Sequence, residues 1–251
     1  MYEKLPIFMQ DSKSHDILND ARSSIPKNTK IYLVGGAVRN ALFFKFFKEK
    51  LPPRDYDILL VGDKNKFIEN LRAHGFVYGF IRRKHEVTLK KKKILRPQHV
   101  FNDYVFLDVH ISDEKSILKN LKDNSNFTIN GFALSLKEIN SKNWHKKVIS
   151  LPGAMRDLKN KKLRVNVIVH PANLFACLRF MSKGFEPPSQ EEVKNLLVAL
   201  GMLEKWRYKR NIKKLFDYVG GETEARKLVK KLGIRKDIFD FKTIKKLNTR
   251  N

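Results

Sequence analysis

The spacing of apolar positions divides the chain into strand-like and helix-like stretches. Residues 1–30 are polar apart from a segment at about 12–24 with helical spacing. IYLVGG at 31–36 is a short, β-rich apolar run stopped by glycines, which predicts a buried strand. AVRNALFFKFFKEK follows, with Val38, Leu42, Phe43, Phe46 and Phe47 at helical intervals. Pro52 and Pro53 end that connection. DYDILLVG at 55–62 predicts a second strand. KNKFIENLRAHGF predicts another amphipathic helix, with Phe67, Ile68 and Leu71 on one face and Gly75 past its end.

VYGFIRRKHEVTLKKKK alternates and reads as a strand, and YVFLDVHIS at 104–112 as a third core strand. Residues 113–126 are polar and read as a helix and a turn. FTINGFALSL at 127–136 reads as a short helix running into a strand. KKVISLPGAMRDLKNKKLRVN reads as a strand, a Pro-Gly turn and a further extended piece. From about residue 170 the period is helical to the end. The pattern therefore predicts an α+β chain: a mixed part over 1–167 and an all-helical part over 168–251.

Composition narrows the setting. With 251 residues, 42% of them hydrophobic, the chain can bury a sizeable core. No run approaches a membrane span, and the first residues lack the apolar core of a secretory signal. A single cysteine, Cys177, leaves no internal disulfide or cysteine-cluster metal site and points to a cytoplasmic or other intracellular setting. There are 52 Lys and Arg against 26 Asp and Glu, a net charge of +26. Such an excess repels itself unless a polyanion accepts it, and nucleic acid is the leading partner.

Against that background Asp55 and Asp57 stand out. Residues i and i+2 of a strand face one side, so two carboxylates would repel at one spot. A divalent ion removes that repulsion; Mg²⁺ (or Mn²⁺) takes one or two carboxylates plus substrate phosphates. Asp108, flanked by apolar residues in FLDVHI, could reach the same place from a neighbouring strand; alone it reads equally as a buried salt-bridge partner. Gly35 and Gly36 let the backbone approach a phosphate, the following helix start favours an anion, and Arg39 could add a forked contact. His85, His99 and His110 lack partners at transition-metal spacing. Lys90–Lys93 reads either as a steering patch or as a solvated hairpin. Trp206 and Tyr208 sit where a base could stack, with core packing the expectation for Trp206. Cys177 is expected to be buried and inert.

LVGGAVRNALF followed by RDYDILLVG resembles the head of class II tRNA nucleotidyltransferases, the CCA-adding enzymes and bacterial poly(A) polymerases. These belong to the DNA polymerase β nucleotidyltransferase superfamily. KHEVTLKKK, FLDVHI, NFTINGFAL, PGAMRDLKNKKLRV, HPANLFACLRF and KRNIKKLF resemble further family motifs in order. The resemblance implies a polymerase β-like head with a mixed sheet, then a helical neck. It implies a metal-dependent transfer of nucleotides from an NTP to an RNA 3′ end. Asp55 and Asp57 would hold the metal, with Asp108 as a third catalytic carboxylate. Gly35, Gly36, Arg39 and Asn130 would serve the nucleotide from the head, and His170, Asn173 and Arg179 from the neck. The implied partners are RNA and NTP, with a protein or ribonucleoprotein partner possible and no membrane.

Several positions depart from the family pattern. The Asp after the Gly-Gly turn is Asn40 here. The paired arginines of the R-R-D motif fall on Asn124 and Ser125, with Asn126 for the Asp. The template Asp and Arg of the neck fall on His170 and Asn173, and the Glu of the E-R pair is Lys209, followed by an intact Arg210. A second reading follows: a catalytically inactive RNA-binding or structural protein on the same fold, in a ribonucleoprotein. The last 30-odd residues would stand in for larger RNA-gripping domains, with a basic face for phosphates or merely for solvent.

Overall fold

The computed structural model describes residues 12–49, 51, 55–83, 86–92, 104–112 and 116–248. Pro52, Pro53, His85, His99 and Lys93 lie outside the described residues. The chain packs as two units: one runs to Leu121 and resumes over Asn130–Leu151, the other takes Lys122–Ile129 and continues from Pro152.

In the first unit, α1 (Ser12–Ser23) buries Ile17, Leu18 and Ala21. Strand β1 (Lys30–Val34) leads directly into α2 (Gly36–Phe47). Then come β2 (Tyr56–Val61), α3 (Lys64–Ala73), β3 (Val77–Arg83), β4 (Glu86–Lys92), β5 (Tyr104–Ile111) and α4 (Ile117–Asn124). A 3₁₀ turn, Thr128–Asn130, along which the chain passes from the second unit back to the first, precedes β6 (Phe132–Ser135), and β7 (Ile149–Ser150) closes the sheet. The seven strands run in the order β3-β4-β5-β2-β1-β6-β7. Among the described strands β2 and β5 pair in parallel and the other pairs are antiparallel, so the sheet is mixed as expected. Central β2 buries Tyr56, Ile58, Leu59 and Leu60, and Asp57 is the polar interruption in that run. Helix α2 packs on β1, β2 and β6 through an apolar stripe that includes Val38, Leu42 and Phe43. The Asp63 side chain caps α3 by accepting from Lys66 N at 3.0 Å.

The second unit is built from α5 (Ala154–Lys159), α6 (Asn173–Met181), α7 (Gln190–Gly201), α8 (Lys205–Val219), α9 (Glu222–Lys231) and α10 (Phe241–Asn248). Asp157, 2% exposed, ties its start together. It accepts from Thr128 Oγ1 at 2.7 Å and from Arg164 Nη2 at 3.2 Å. Ser189 and Glu192 form a capping box on α7. Buried Tyr208 of α8 donates its hydroxyl to Ile238 O. Burial pushes the Cys177 thiol up to about 12, with Glu192 adding to it, so this thiol is neutral and inert.

Three expectations need correction. VYGFIRRKHEVTLKKKK is two antiparallel strands, β3 and β4, because alternation continues through the reversal. AMRDLK is a helical turn and a half, not extended chain; its Asp157 contacts hold a segment too short to be helical by itself. Trp206 is 56% exposed, not core. On a helix it points roughly opposite to Tyr208, which takes the buried place.

Gly131, just before β6, offers a test of packing. A Cβ there would lie 2.3 Å from Leu151 Cδ1, and Leu151 N is bonded to Gly131 O at 2.9 Å. Gly131→Ala is expected to lose roughly 1–3 kcal/mol, read as a lower thermal midpoint; an unchanged midpoint would show that Leu151 yields freely.

Candidate functional site

The chain leaves β1 at Val34, which is opposite Asp57 on one side and Ala133 on the other. Gly35 makes the turn with φ +66 and ψ −126, a backbone that strongly favours glycine. Its N–H donates to Phe132 O at 3.0 Å, and a Cβ on it would lie 3.8 Å from Asp57 Oδ2. Gly36 begins α2, and a Cβ there would meet Arg39 Nη2 at an ordinary 3.5 Å. Among the described residues, no side-chain cap forms at this helix start, whose N-cap is Gly35. Its first N–H groups and dipole are therefore suited to an anion.

Arg39, one turn into α2, is held by asparagines. Nε and Nη2 donate to Asn40 Oδ1 at 3.0 and 2.8 Å, and Nη1 donates to Asn130 Oδ1. These amide oxygens orient the guanidinium. Asn40 thus supplies a neutral acceptor where an Asp would add a negative charge. The structure brings Gly35, Gly36, Arg39, Asn130 and Asp57 to one end of the sheet.

Asp55 sits at the bend just before β2, half-buried, so strand alternation governs Asp57 but not Asp55. Asp57 is paired in parallel register with Asp108 of β5. Asp108 is 5% exposed and accepts from Thr88 Oγ1 at 2.5 Å. His110, two residues on and on the same face, places Nε2 3.5 Å from Asp57 Oδ1. Thr88 and His110 are neighbours that sequence reasoning did not assign; their position opposite and beyond Asp108 depends on long-range register. Among the described residues, no group of three or more His, Cys, Asp or Glu is arranged to hold a metal. Carboxylate oxygens still suit Mg²⁺, whose shell is commonly completed by water and phosphate.

The neck residues lie in the second unit. Asn173 begins α6 and is 4% exposed. Its Oδ1 accepts from Asn126 Nδ2 at 3.4 Å, and among the described residues its Nδ2 has no hydrogen-bond partner. Exposed His170 accepts from Ala172 N through Nδ1 at 3.0 Å, which leaves Nε2 as the donor. Arg179 lies 6.0 Å from the Tyr218 ring, with Lys183 at 5.3 Å from the same ring. The nearness of Arg207 and Arg210 to His170 was also missed; their i, i+3 spacing on α8 carried the signal.

No protein-family model matches the chain, and neither does any curated protein. Solved structures do match it: a seven-stranded mixed sheet followed by helices is the head-and-neck fold of CCA-adding enzymes. The chain is similar to a Thermotoga maritima CCA-adding enzyme complexed with tRNA, with a TM-score of 0.64 and 20% identity, covering 89% of this chain and 52% of that one. A tRNA-processing enzyme in an apo form gives 0.62 and 22%, covering 92% and 58%. A CCA-adding enzyme in complex with CTP gives 0.61 and 20%, covering 89% and 51%. The chain thus spans about half the length of the solved structures it matches.

Partial desolvation, then Arg207 and Arg210, hold the His170 imidazole below its ordinary value of 6.5. As pH falls below 6.5 the unfolded chain protonates first, so the stability from neutral His170 is lost on going down through the folded value. An NMR titration is expected to place its midpoint below 6.5 and to move it upward in Arg207→Ala. A midpoint at or above 6.5 in the native protein would contradict this.

Proposed function

We propose that the protein is a metal-dependent RNA nucleotidyltransferase that adds one or more nucleotides to an RNA 3′ end, with nucleotide selection altered from the family pattern. The observation that carries this reading is the convergence of an uncapped helix start, a pinned guanidinium and Asp57 at one sheet end, in a fold shared with CCA-adding enzymes. The helix start and Arg39 would bind and orient the triphosphate. Asp55 and Asp57 would hold Mg²⁺ or Mn²⁺, with Asp108 as the third carboxylate of the edge. When bound, such an ion supplies charge stabilisation at phosphate oxygens and a more acidic hydroxyl. The RNA 3′-oxygen forms a bond to the α-phosphorus, and the bond to the departing pyrophosphate breaks. His170, Asn173 and Arg179 of the neck would serve the base or the RNA end. We assign 1–167 to this head function and 168–251 to the neck and RNA contacts.

A second reading, an inactive RNA-binding protein of a ribonucleoprotein, draws on one observation. Asn126, in place of the family's Asp, is a neutral residue joined to Asn173, so this corner has lost the charges of the motif. Incorporation of each labelled NTP into total RNA, and into tRNA lacking its 3′ end, separates the two. Asp55→Ala/Asp57→Ala is expected to reduce incorporation at least ~100-fold. No incorporation with any NTP, from protein that folds and binds RNA, would establish the second reading.

Arg39→Lys keeps the charge but loses the fork. It is expected to raise the KM for NTP about tenfold, the effect of losing roughly one charge-assisted hydrogen bond. An unchanged KM would remove Arg39 from triphosphate binding.

A further inference from the structure

Helix α8 carries Lys205, Arg207, Lys209, Arg210, Lys213 and Lys214 against a single carboxylate, Asp217. Lys205, Lys209 and Lys213 recur every four residues, so they rise along one edge about 6 Å apart. They border a groove of about 570 Å³ whose other wall is the chain from Phe239 to Lys242. All three are exposed, and none forms an ion pair among the described residues. Two cations on neighbouring α9 differ: Arg226 meets Glu222 and Asp237, and Lys227 meets Glu224. The groove lysines are thus among the cations that no acid of the described residues neutralises.

The floor of the groove is aromatic. Phe216 and Phe239 meet edge to face at 5.1 Å, and Phe241 meets Tyr208 at 5.2 Å. Phe216, Phe239 and Phe241 are half-buried, with Arg226 at 5.3 Å from the Phe239 ring and Lys245 at 5.4 Å from the Phe241 ring. Of the two acidic residues in the lining, Asp240 is engaged as a cap: it accepts from Thr243 N at 3.0 Å and from Thr243 Oγ1 at 2.7 Å. Beside the lysine row, Trp206 is exposed, with Arg207 and Arg210 at 5.1 and 5.5 Å from its ring.

A regular row of unpaired cations over aromatic rings matches one polymer in particular. A single nucleic-acid strand has evenly repeated anionic charge and unstacked bases whose π-faces bind aromatic side chains without regard to sequence. A duplex hides those faces, and an acidic peptide has none. We propose that the groove between α8 and the start of α10 binds single-stranded RNA. This rests on the reading that RNA is the acceptor and adds where a stretch of it is held.

The test is fluorescence anisotropy of the full chain with a labelled single-stranded RNA of about 12 nucleotides, without NTP, over a range of salt. Lys205→Ala/Lys209→Ala/Lys213→Ala is expected to weaken binding at least tenfold and to lower the salt slope by about 2, near 0.7 for each phosphate contact. The corresponding triple Arg variant is expected to keep the native slope. Three outcomes overturn the proposal: native protein that does not bind the strand, a triple Ala variant with unchanged affinity and slope, or equal loss of binding to a duplex of the same length. Because the readout needs no nucleotide transfer, it is separate from the incorporation assay. Asp55→Ala/Asp57→Ala is expected to bind the strand normally even where incorporation is abolished.

Discussion

The hydrogen bond from Gly35 N–H to Phe132 O holds the end of β1 against β6 at the point where the chain turns into α2. Without it the register that sets Val34 beside both Asp57 and Ala133 has no anchor at this end. The turn works only because Gly35 tolerates φ +66. From this constraint follow the direction of α2, the place of Arg39 one turn along it, and the closeness of the helix start to a carboxylate. Positive and negative groups are fixed on one rigid edge, as phosphate chemistry requires.

Charge management differs between the two units. At the sheet end, the neutral amides of Asn40 and Asn130 hold Arg39 in place. In the helical unit, Arg226 and Lys227 of α9 meet acids, whereas Lys205, Lys209 and Lys213 along the groove edge of α8 form no ion pair among the described residues. A chain of net charge +26 cannot neutralise itself, and the places where it does so are therefore informative. Asp157 is a structural counterpart: buried and held by Thr128 and Arg164, it joins chain segments.

Much of the architecture was legible because it is locally encoded. The apolar run ending in Gly35-Gly36, the stripe of α2 and the cap of α3 follow from period and turn chemistry. Errors arose where local pattern was silent or misweighed. Alternation alone cannot reveal the reversal between β3 and β4. Six residues are too few for a helical period to show, and Ala154–Lys159 is helical because Asp157 is held from elsewhere. Trp206 was misjudged by its apolar character, although Tyr208 two positions on had already claimed the buried face.

The sequence by itself determined the strand-turn-helix that presents Gly35 and Arg39, the acid pair before and within β2, the helical second half and the basic excess. Each depends on neighbours within about two turns of chain. Tertiary structure alone decided that Asp57 faces Asp108 across parallel strands and that His110 stands 3.5 Å from Asp57. It alone decided which lysines of α8 border the aromatic groove. Such facts depend on register and helix packing between segments dozens of residues apart, where many arrangements satisfy the same local pattern and burial of the shared core selects one.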